Sequence, residues 1–201
     1  MEIPFFKNML KDYPKFWEEY LSHFENKQDL NRYVIFDLEI TGLDVENDRI
    51  LSISAIGANE NTVLISDFIE LFIEQSIFNP ESVPYHGILK EGKEEKVVEA
   101  EAIIQFLNFI KNATLVGHNI DSDIEMINHA LGRLNVGKLK NQYMDINIMY
   151  QKLKDLPENH YTSLDELCDI YKIRKTERHT SSGDSYIMSL IFLKLKRKLG
   201  I

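Results

Sequence analysis

The chain has 201 residues, of which 44% are hydrophobic and 27% are charged, and it carries a formal net charge of −9. This length and composition predict one well-buried domain with a small extension. The negative charge argues against a protein that coats nucleic acid through phosphate neutralisation alone, although it leaves room for one that holds only a strand end.

No membrane partner and no secretion are expected. The apolar runs are too short to span a bilayer. Asn8, Lys11 and Asp12 interrupt the N-terminus before a signal-peptide core could form. The single cysteine, Cys168, cannot make an internal disulfide and lies in an apolar helical pattern that indicates packing. We therefore expect a cytoplasmic protein.

Residues 1–30 predict a helical extension ahead of a main domain of residues 31–201. Pro14 suits a first helical turn, and Asp12 precedes it as a cap. Five apolar side chains then follow at helical spacing: Phe16, Trp17, Tyr20, Leu21 and Phe24. We expect this helix to pack on the main domain. The alternative is a docking helix for a partner protein.

The first half of the main domain predicts strands. An apolar, β-rich run opens it at residues 33–40. Residues 50–57 and 63–73 form two more such runs, joined tightly enough for a hairpin, and residues 113–117 form a short buried strand. Three successive strands with short links imply an antiparallel portion of sheet.

The second half predicts helices, with residues 80–92 as a loop or short helix. The periodic segments lie at residues 99–111, 124–134, 145–153, 164–171 and 183–198. Strands first, then helices alternating with a strand, indicate an α/β domain with a mixed sheet and helices packed on its faces.

Two carboxylates occur on the first strand. Side chains alternate across a strand, so Asp37 and Glu39 project from the same face. Neighbouring carboxylates resist joint ionisation, and a site that keeps both usually supplies a divalent cation. The following Thr41-Gly42 turn lets the backbone approach a ligand closely.

Two further acids lie at helix starts. Asp123 follows the strand at residues 113–117, and Asp184 opens the last helix, with His179 on the loop before it. Taken singly, each aspartate is explained as a helix cap and the histidine as a surface residue. Together, four acids at element ends and one histidine favour a common site.

Three segments resemble, in order and spacing, the motifs of the DnaQ-like DEDDh 3′–5′ exonucleases, a family that includes the epsilon subunit of bacterial DNA polymerase III. They are Asp37-x-Glu39-x-Thr41-Gly42-Leu43, His118-Asn119-x-x-x-Asp123 and His179-x-x-x-x-Asp184. The resemblance covers about residues 32–201. Two softer matches are His86-Gly87-Ile88 and the segment 163–168, which is similar to the family's Leu-Asp-x-Leu-Cys helix.

The sequence departs from the family pattern at four positions, none of which removes an acid or the histidine. These are Ile40, Gly117, Ser122 and Ser185. Asp121 is an alternative to Asp123 as the second-motif acid, but the family spacing from His118 favours Asp123 and leaves Asp121 as a cap.

The resemblance implies a ribonuclease H-like fold with a mixed five-stranded sheet flanked by helices. It also implies two divalent metal ions, Mg²⁺ or Mn²⁺. Asp37 would bridge both ions, Glu39 and Asp184 would complete the site that serves the attacking water, and Asp123 would help to hold the second ion. His179 would be the general base.

For the substrate, the resemblance implies that Thr41, Gly42 and Leu43 hold the terminal nucleotide, with Asn119 and His86 at the rim. The expected activity is hydrolysis at the 3′ end of DNA, most simply single-stranded DNA, with release of nucleoside 5′-monophosphates. Proofreading or repair, with a DNA polymerase or another replication or repair protein as partner, fits this activity.

Two alternatives stay open. The segment 37–44 also resembles the first motif of oligoribonucleases, so RNA or short oligonucleotides are a second substrate class, although Gly117-His118-Asn119 fits the DnaQ-like proteins better. The other alternative is a non-catalytic, polymerase-associated subunit. The presence of all four carboxylates and the histidine argues against it.

Overall fold

A six-stranded mixed sheet of order β4-β3-β2-β1-β5-β6 organises the computed structural model, which describes residues 13–25, 32–77, 79–90 and 92–201. The strands β1–β2 and β2–β3 pair antiparallel, whereas β1–β5, β5–β6 and β3–β4 pair parallel. In chain order, strands β1 to β6 are Tyr33–Ile40, Ile50–Ala58, Val63–Glu74, Lys96–Val98, Thr114–Gly117 and Tyr143–Asp145.

The predicted α/β class with a mixed sheet is confirmed, and the sheet has six strands where the resemblance implied five. The strands β4 and β6 have three residues each, which is too short for a period of two to be visible in the sequence. In chain order, helices α1 to α7 are Lys15–Ser22, Val83–His86, Glu99–Ile110, Ile120–Arg133, Ile146–Lys154, Leu164–Tyr171 and Ser181–Leu199.

The side chains of β1 divide between two hydrophobic clusters on opposite faces of the sheet. Val34, Phe36 and Leu38 pack with residues of α1, α3 and α4. Ile35 packs in the other cluster, with residues of α5, α6 and α7. Asp37 and Glu39 follow Ile35 at spacings of two residues, so they project toward the α7 side. Cys168 is buried in that second cluster, as its helical pattern predicted.

Helix α1 packs on the main domain, as its apolar spacing predicted. Trp17 and Tyr20 are buried. The Tyr20 hydroxyl donates to Asn141 Oδ1 at 2.7 Å and accepts the Lys140 N–H at 2.8 Å. Pro14 takes the N-cap position. The predicted cap Asp12 and the boundary near residue 30 lie outside the described residues.

Among the helices of the described ranges, none combines the length and the apolar character that crossing a bilayer requires.

Candidate active site

Strand β2 presents two serines beside the two acids of β1. Asp37 lies opposite Ser54, and Glu39 lies opposite Ser52, in the antiparallel pairing of the two strands. Residues directly opposite in such a pair share a face. Both serines are fully buried. The four side chains therefore form one polar strip on β1 and β2, whose other residues are apolar or aromatic.

Helix α7 is held on this strip by two hydroxyl pairs. Ser52 Oγ lies 2.9 Å from Ser181 Oγ, and Ser54 Oγ lies 2.7 Å from Ser185 Oγ. The α7 serines are four residues apart and thus occupy one helix face. This docking brings Asp184, which lies between them in sequence, to the acids of β1. The sequence signal is the pair of serines at alternate positions of an apolar strand.

Three carboxylates converge at this point. Asp37, Glu39 and Asp184 each offer an oxygen that lies within 4.8 Å of the others. Asp184 has 7% of its surface exposed, and its Oδ1 atom is buried and meets no hydrogen-bond donor within the described residues. Hard carboxylate oxygens suit a divalent cation such as Mg²⁺ or Mn²⁺. The donor set and the unpartnered oxygen therefore fit a metal ion.

Burial and mutual repulsion make the full ionisation of this cluster unfavourable without a cation. Burial, followed by the charges of Asp123, Glu39 and Asp184, raises the pKa of Asp37 well above its usual range. Burial and then Asp184 raise the pKa of Glu39 to about 8. A bound cation would oppose both causes, because it stabilises the charged form.

Asp123, in the first turn of α4, interacts electrostatically with the acids of the cluster. Burial, then the charges of Glu39 and Asp145, raise its pKa. Asp123 lies outside the group of three oxygens that share the 4.8 Å limit. The alternative acid, Asp121, is exposed and raises the pKa of the nearby Tyr143 hydroxyl, and the N-cap position of α4 is taken by Asn119.

Asp145 is a residue that sequence reasoning missed as part of the site. Its Oδ1 caps α5 by accepting the N–H groups of Asn147 at 2.7 Å and Ile148 at 3.2 Å. Its Oδ2 accepts the Ile120 N–H at 2.9 Å. Asp145 thus ties the start of α4, and with it Asp123, to the start of α5. An aspartate just before a helical run was the available signal.

The second-motif histidine and asparagine have different surroundings. His118 Nε2 lies 2.8 Å from the Thr162 carbonyl oxygen, and its ring meets Tyr161 edge-on at 5.4 Å between centroids. His118 therefore anchors the loop before α6. Asn119 is exposed and adopts a left-handed backbone with φ of 61°, so its side chain is available at the surface.

The turn after β1 borders a cleft of about 500 Å³. The buried Thr41 hydroxyl donates to Asp48 Oδ1 at 2.6 Å and accepts the Arg49 N–H at 2.9 Å, so it is used within the protein. A Cβ at Gly42 would lie 2.5 Å from Asp48 Oδ2, which explains the glycine. Leu43 is 90% exposed. The cleft is lined by Glu39, Ile40, Thr41, Gly42, Leu43, Asn79, Glu81 and Ser82.

The two remaining predicted histidines differ in how far the structure describes them. His86 ends the short helix α2, and its side chain lies outside the described part. His179 is exposed, has a left-handed backbone with φ of 65°, and directs its N–H toward Asp184 Oδ2 at 3.3 Å. Its backbone is therefore beside the acidic cluster.

Arg178 is the second residue that sequence reasoning missed. Its Nη1 atom donates to Asp184 Oδ2, and its Nε atom donates to Asp165 Oδ1 at 3.0 Å. The charge of Arg178 lowers the pKa of both Asp37 and Glu39, but burial and the neighbouring acids outweigh it. Its position next to His179 was the only signal in the sequence.

The sequence matches known proteins over most of the main domain. The family model RNase_T, described as Exonuclease, matches residues 34–192. The DNA polymerase III subunit epsilon of Rickettsia prowazekii (strain Madrid E) is 31% identical over 172 residues, covering 82% of this chain and 73% of that protein. The DNA polymerase III PolC-type of Latilactobacillus sakei is 28% identical over 168 residues, covering 83% of this chain. This chain spans only 11% of that protein.

The fold also has a solved counterpart. The crystal structure of E. coli exonuclease I in complex with a dT13 oligonucleotide matches with a TM-score of 0.72 at 17% sequence identity. The match covers 85% of this chain and 42% of that chain. This similarity confirms the ribonuclease H-like fold that the motifs implied.

Proposed function

The chain belongs to the RNase_T exonuclease family, and on that premise we propose that it is a metal-dependent 3′–5′ exonuclease acting on DNA. It would hydrolyse the phosphodiester bond at the 3′ end and release nucleoside 5′-monophosphates. The observation that carries the proposal is the convergence of Asp37, Glu39 and Asp184 within 4.8 Å. Three carboxylates this close, one buried and two partly buried, require a cation to ionise together.

The proposed cofactor is a pair of Mg²⁺ or Mn²⁺ ions. Asp37, Glu39 and Asp184 would hold them, with Asp123 completing the set from α4. When bound, two such ions lower the pKa of water and stabilise the departing 3′ oxygen. The Asp184 Oδ1 atom, which meets no donor among the residues that the structure describes, supports this assignment, because a buried carboxylate oxygen without a donor is costly unless a cation meets it.

His179 is the proposed general base. An imidazole exchanges a proton near neutral pH, so it can accept the proton of the attacking water. Its backbone N–H lies 3.3 Å from Asp184 Oδ2, which supports a position at the edge of the acidic cluster. The exposed imidazole would act from the solvent side.

The proposed seat of the terminal nucleotide is the cleft beside the Thr41-Gly42-Leu43 turn. Leu43 would pack against the base, and the backbone at Gly42 would approach the sugar. Asn119 and His86 would contact the strand at the rim. The Thr41 hydroxyl shapes this turn from inside, through Asp48 and Arg49.

Single-stranded DNA is the proposed substrate, and proofreading or repair is the proposed setting. The similar fold of exonuclease I was solved with a bound oligonucleotide, which supports a strand as ligand. The epsilon relatives support a DNA polymerase or another replication or repair protein as partner. Residues 31–201 would form the exonuclease domain, and residues 1–30 its helical extension.

The test uses a DNA strand and an RNA strand of the same sequence, each labelled at the 5′ end. With Mn²⁺ or Mg²⁺ we expect shortening from the 3′ end, faster on DNA, and no shortening in excess chelator. Faster degradation of RNA would reassign the protein as an exoribonuclease. Both strands remaining intact with either metal would favour a non-catalytic subunit.

A further inference from the structure

The Leu-Asp-x-Leu-Cys segment of α6 is connected to the acidic cluster through one arginine. Arg178 has 14% of its side chain exposed and lies between two carboxylates. One edge of the guanidinium binds Asp165 Oδ1 at 3.0 Å, and Nη1 binds Asp184 Oδ2. The planar, multiply donating guanidinium suits this bridge, because a lysine ammonium lacks the fork geometry.

The two oxygens of Asp184 have different environments. Oδ2 accepts hydrogen bonds from Arg178 and from the His179 backbone N–H. Oδ1 is buried and without a donor in the part of the chain that the structure describes. One oxygen is therefore fixed by the protein, while the other is left for a cation.

The backbone around Arg178 is also fixed against α7. A Cβ at Gly183 would lie 2.0 Å from the Glu177 carbonyl oxygen, so the chain before Arg178 abuts the first turn of the helix. The Thr180 hydroxyl caps that turn by accepting the Gly183 N–H at 3.0 Å. The guanidinium is thereby held from both its backbone and its two carboxylate partners.

We propose that Arg178 is a positioning residue for the metal site: it orients Asp184 so that Oδ1 faces the cation, and Asp165 holds Arg178 in that role. The inference rests on the proposed metal-dependent function. Because Arg178 and the cation use different oxygens, the arginine stays in place when the metal binds. Groups that orient ligating carboxylates typically change metal affinity by about 10- to 100-fold.

The experiment measures Mn²⁺ binding to the full chain by calorimetry, in wild type, four test variants and one control variant. Arg178→Met is expected to weaken binding by about 10- to 100-fold. Arg178→Lys keeps the positive charge but lacks the planar guanidinium, so its Mn²⁺ affinity should lie between those of wild type and Arg178→Met. Asp165→Asn should weaken Mn²⁺ binding less than Arg178→Met does. The double variant Arg178→Met/Asp165→Asn should bind Mn²⁺ as weakly as Arg178→Met alone, because Asp165 acts only through Arg178. Excess Mn²⁺ should restore the cleavage rate of Arg178→Met, which a purely structural defect would not allow.

Lys175→Met is the matched control. Lys175 also lies near Asp165, at 3.9 Å, and pairs with Asp169 at 2.9 Å. The Lys175→Met substitution removes a positive charge from the same loop region as Arg178→Met. Neither ion pair of Lys175 involves the acidic cluster. Its Mn²⁺ affinity should stay near that of wild type. If Arg178→Met does not fold, Arg178→Lys and the partly exposed Asp165→Asn still decide the question.

Unchanged or tighter Mn²⁺ binding in Arg178→Met would overturn the inference, and tighter binding would make the arginine a competitor of the metal. The proposed function fails separately. If wild type binds Mn²⁺ in an Arg178-dependent manner but leaves DNA intact, the inference stands and the exonuclease proposal falls. If wild type degrades DNA while Arg178→Met binds Mn²⁺ normally, the exonuclease proposal stands and the inference about Arg178 falls. A wild type that binds no Mn²⁺ contradicts both.

Discussion

Ser54 of β2 and Ser185 of α7 share a buried hydrogen bond of 2.7 Å between their hydroxyl oxygens, directly beside Asp37. Together with the Ser52–Ser181 pair, it seats the first turns of α7 on the sheet. The position of Asp184 relative to the two acids of β1 therefore depends on these hydroxyls. A buried hydroxyl that loses its partner destabilises the folded state.

Ser54→Ala should destabilise the protein by about 0.5–1.5 kcal/mol, because the interface loses one hydrogen bond. Ser185 keeps its bond to the Ser182 carbonyl oxygen at 3.1 Å, so no buried hydroxyl is left without a partner. The double variant Ser54→Ala/Ser185→Ala should lose less unfolding free energy than the sum of the losses in the two single variants. The measurement is urea unfolding of all three. Ser189→Ala is the control, since within the described residues that buried serine of α7 bonds only inside its own helix, to the Tyr186 carbonyl at 2.6 Å. If the stability loss of the double variant equals the sum of the two single losses, the Ser54–Ser185 hydrogen bond does not couple β2 to α7.

The stability of the metal-free protein should fall as pH rises toward 8. Burial and Asp184 raise the pKa of Glu39 from its ordinary 4.5 to about 8. The folded state thus keeps a proton that the unfolded chain releases, so this contribution is complete below pH 4.5 and is lost as pH rises through about 8. Glu39→Gln should melt at a higher temperature than wild type at pH 8.5, in chelator, and show a weaker pH dependence. The exposed Glu70→Gln on β3 is the control, and an equal effect there would contradict the assignment.

Asp123→Asn and Asp121→Asn make the same charge change two residues apart on α4. Asp123→Asn should reduce cleavage by at least about 100-fold and weaken Mn²⁺ binding, because it removes a carboxylate from the cluster. Asp121→Asn should cleave like wild type, because its carboxylate is exposed and lies outside the group of converging acids. Initial rates at saturating Mn²⁺ measure both. If Asp121→Asn loses cleavage and Asp123→Asn keeps it, Asp121 is the second-motif metal ligand instead of Asp123.

Leu43→Ser should raise KM for a single strand by about 5- to 30-fold, since an apolar contact of this size is worth about 1–2 kcal/mol. The melting temperature should not change, because Leu43 is 90% exposed. Ile65→Ser is the control, an equally apolar side chain that is 65% exposed on β3. An unchanged KM in Leu43→Ser would remove the turn from the nucleotide site.

Much of the fold could be predicted because its elements are long and regular. The alternation in β1 placed Asp37 and Glu39 on one face, and the apolar spacing in α1, α3 and α7 marked helices. The short strands β4 and β6 could not be predicted, because three residues show no period. Their pairing depends on neighbours that are distant in sequence.

The acids of the site could be predicted, but the groups that position them could not. Ser54 and Ser185 are 131 positions apart, and a serine in a strand gives no indication of its partner. Arg178 is adjacent to His179 in sequence, yet its bridge to Asp165 depends on how α6 packs beside α7. Such long-range contacts are set by tertiary packing and not by local pattern.

The central claim is that Asp37 belongs to a hydrolytic metal site, and Asp37→Asn tests it most directly. The measurement pairs the cleavage rate on a 5′-labelled single strand in Mn²⁺ with the melting temperature in chelator. We predict that cleavage is abolished while the metal-free protein melts at or above the wild-type temperature, because the variant removes a partly buried acid that its acidic neighbours repel. Cleavage at the wild-type rate in Asp37→Asn would contradict the account.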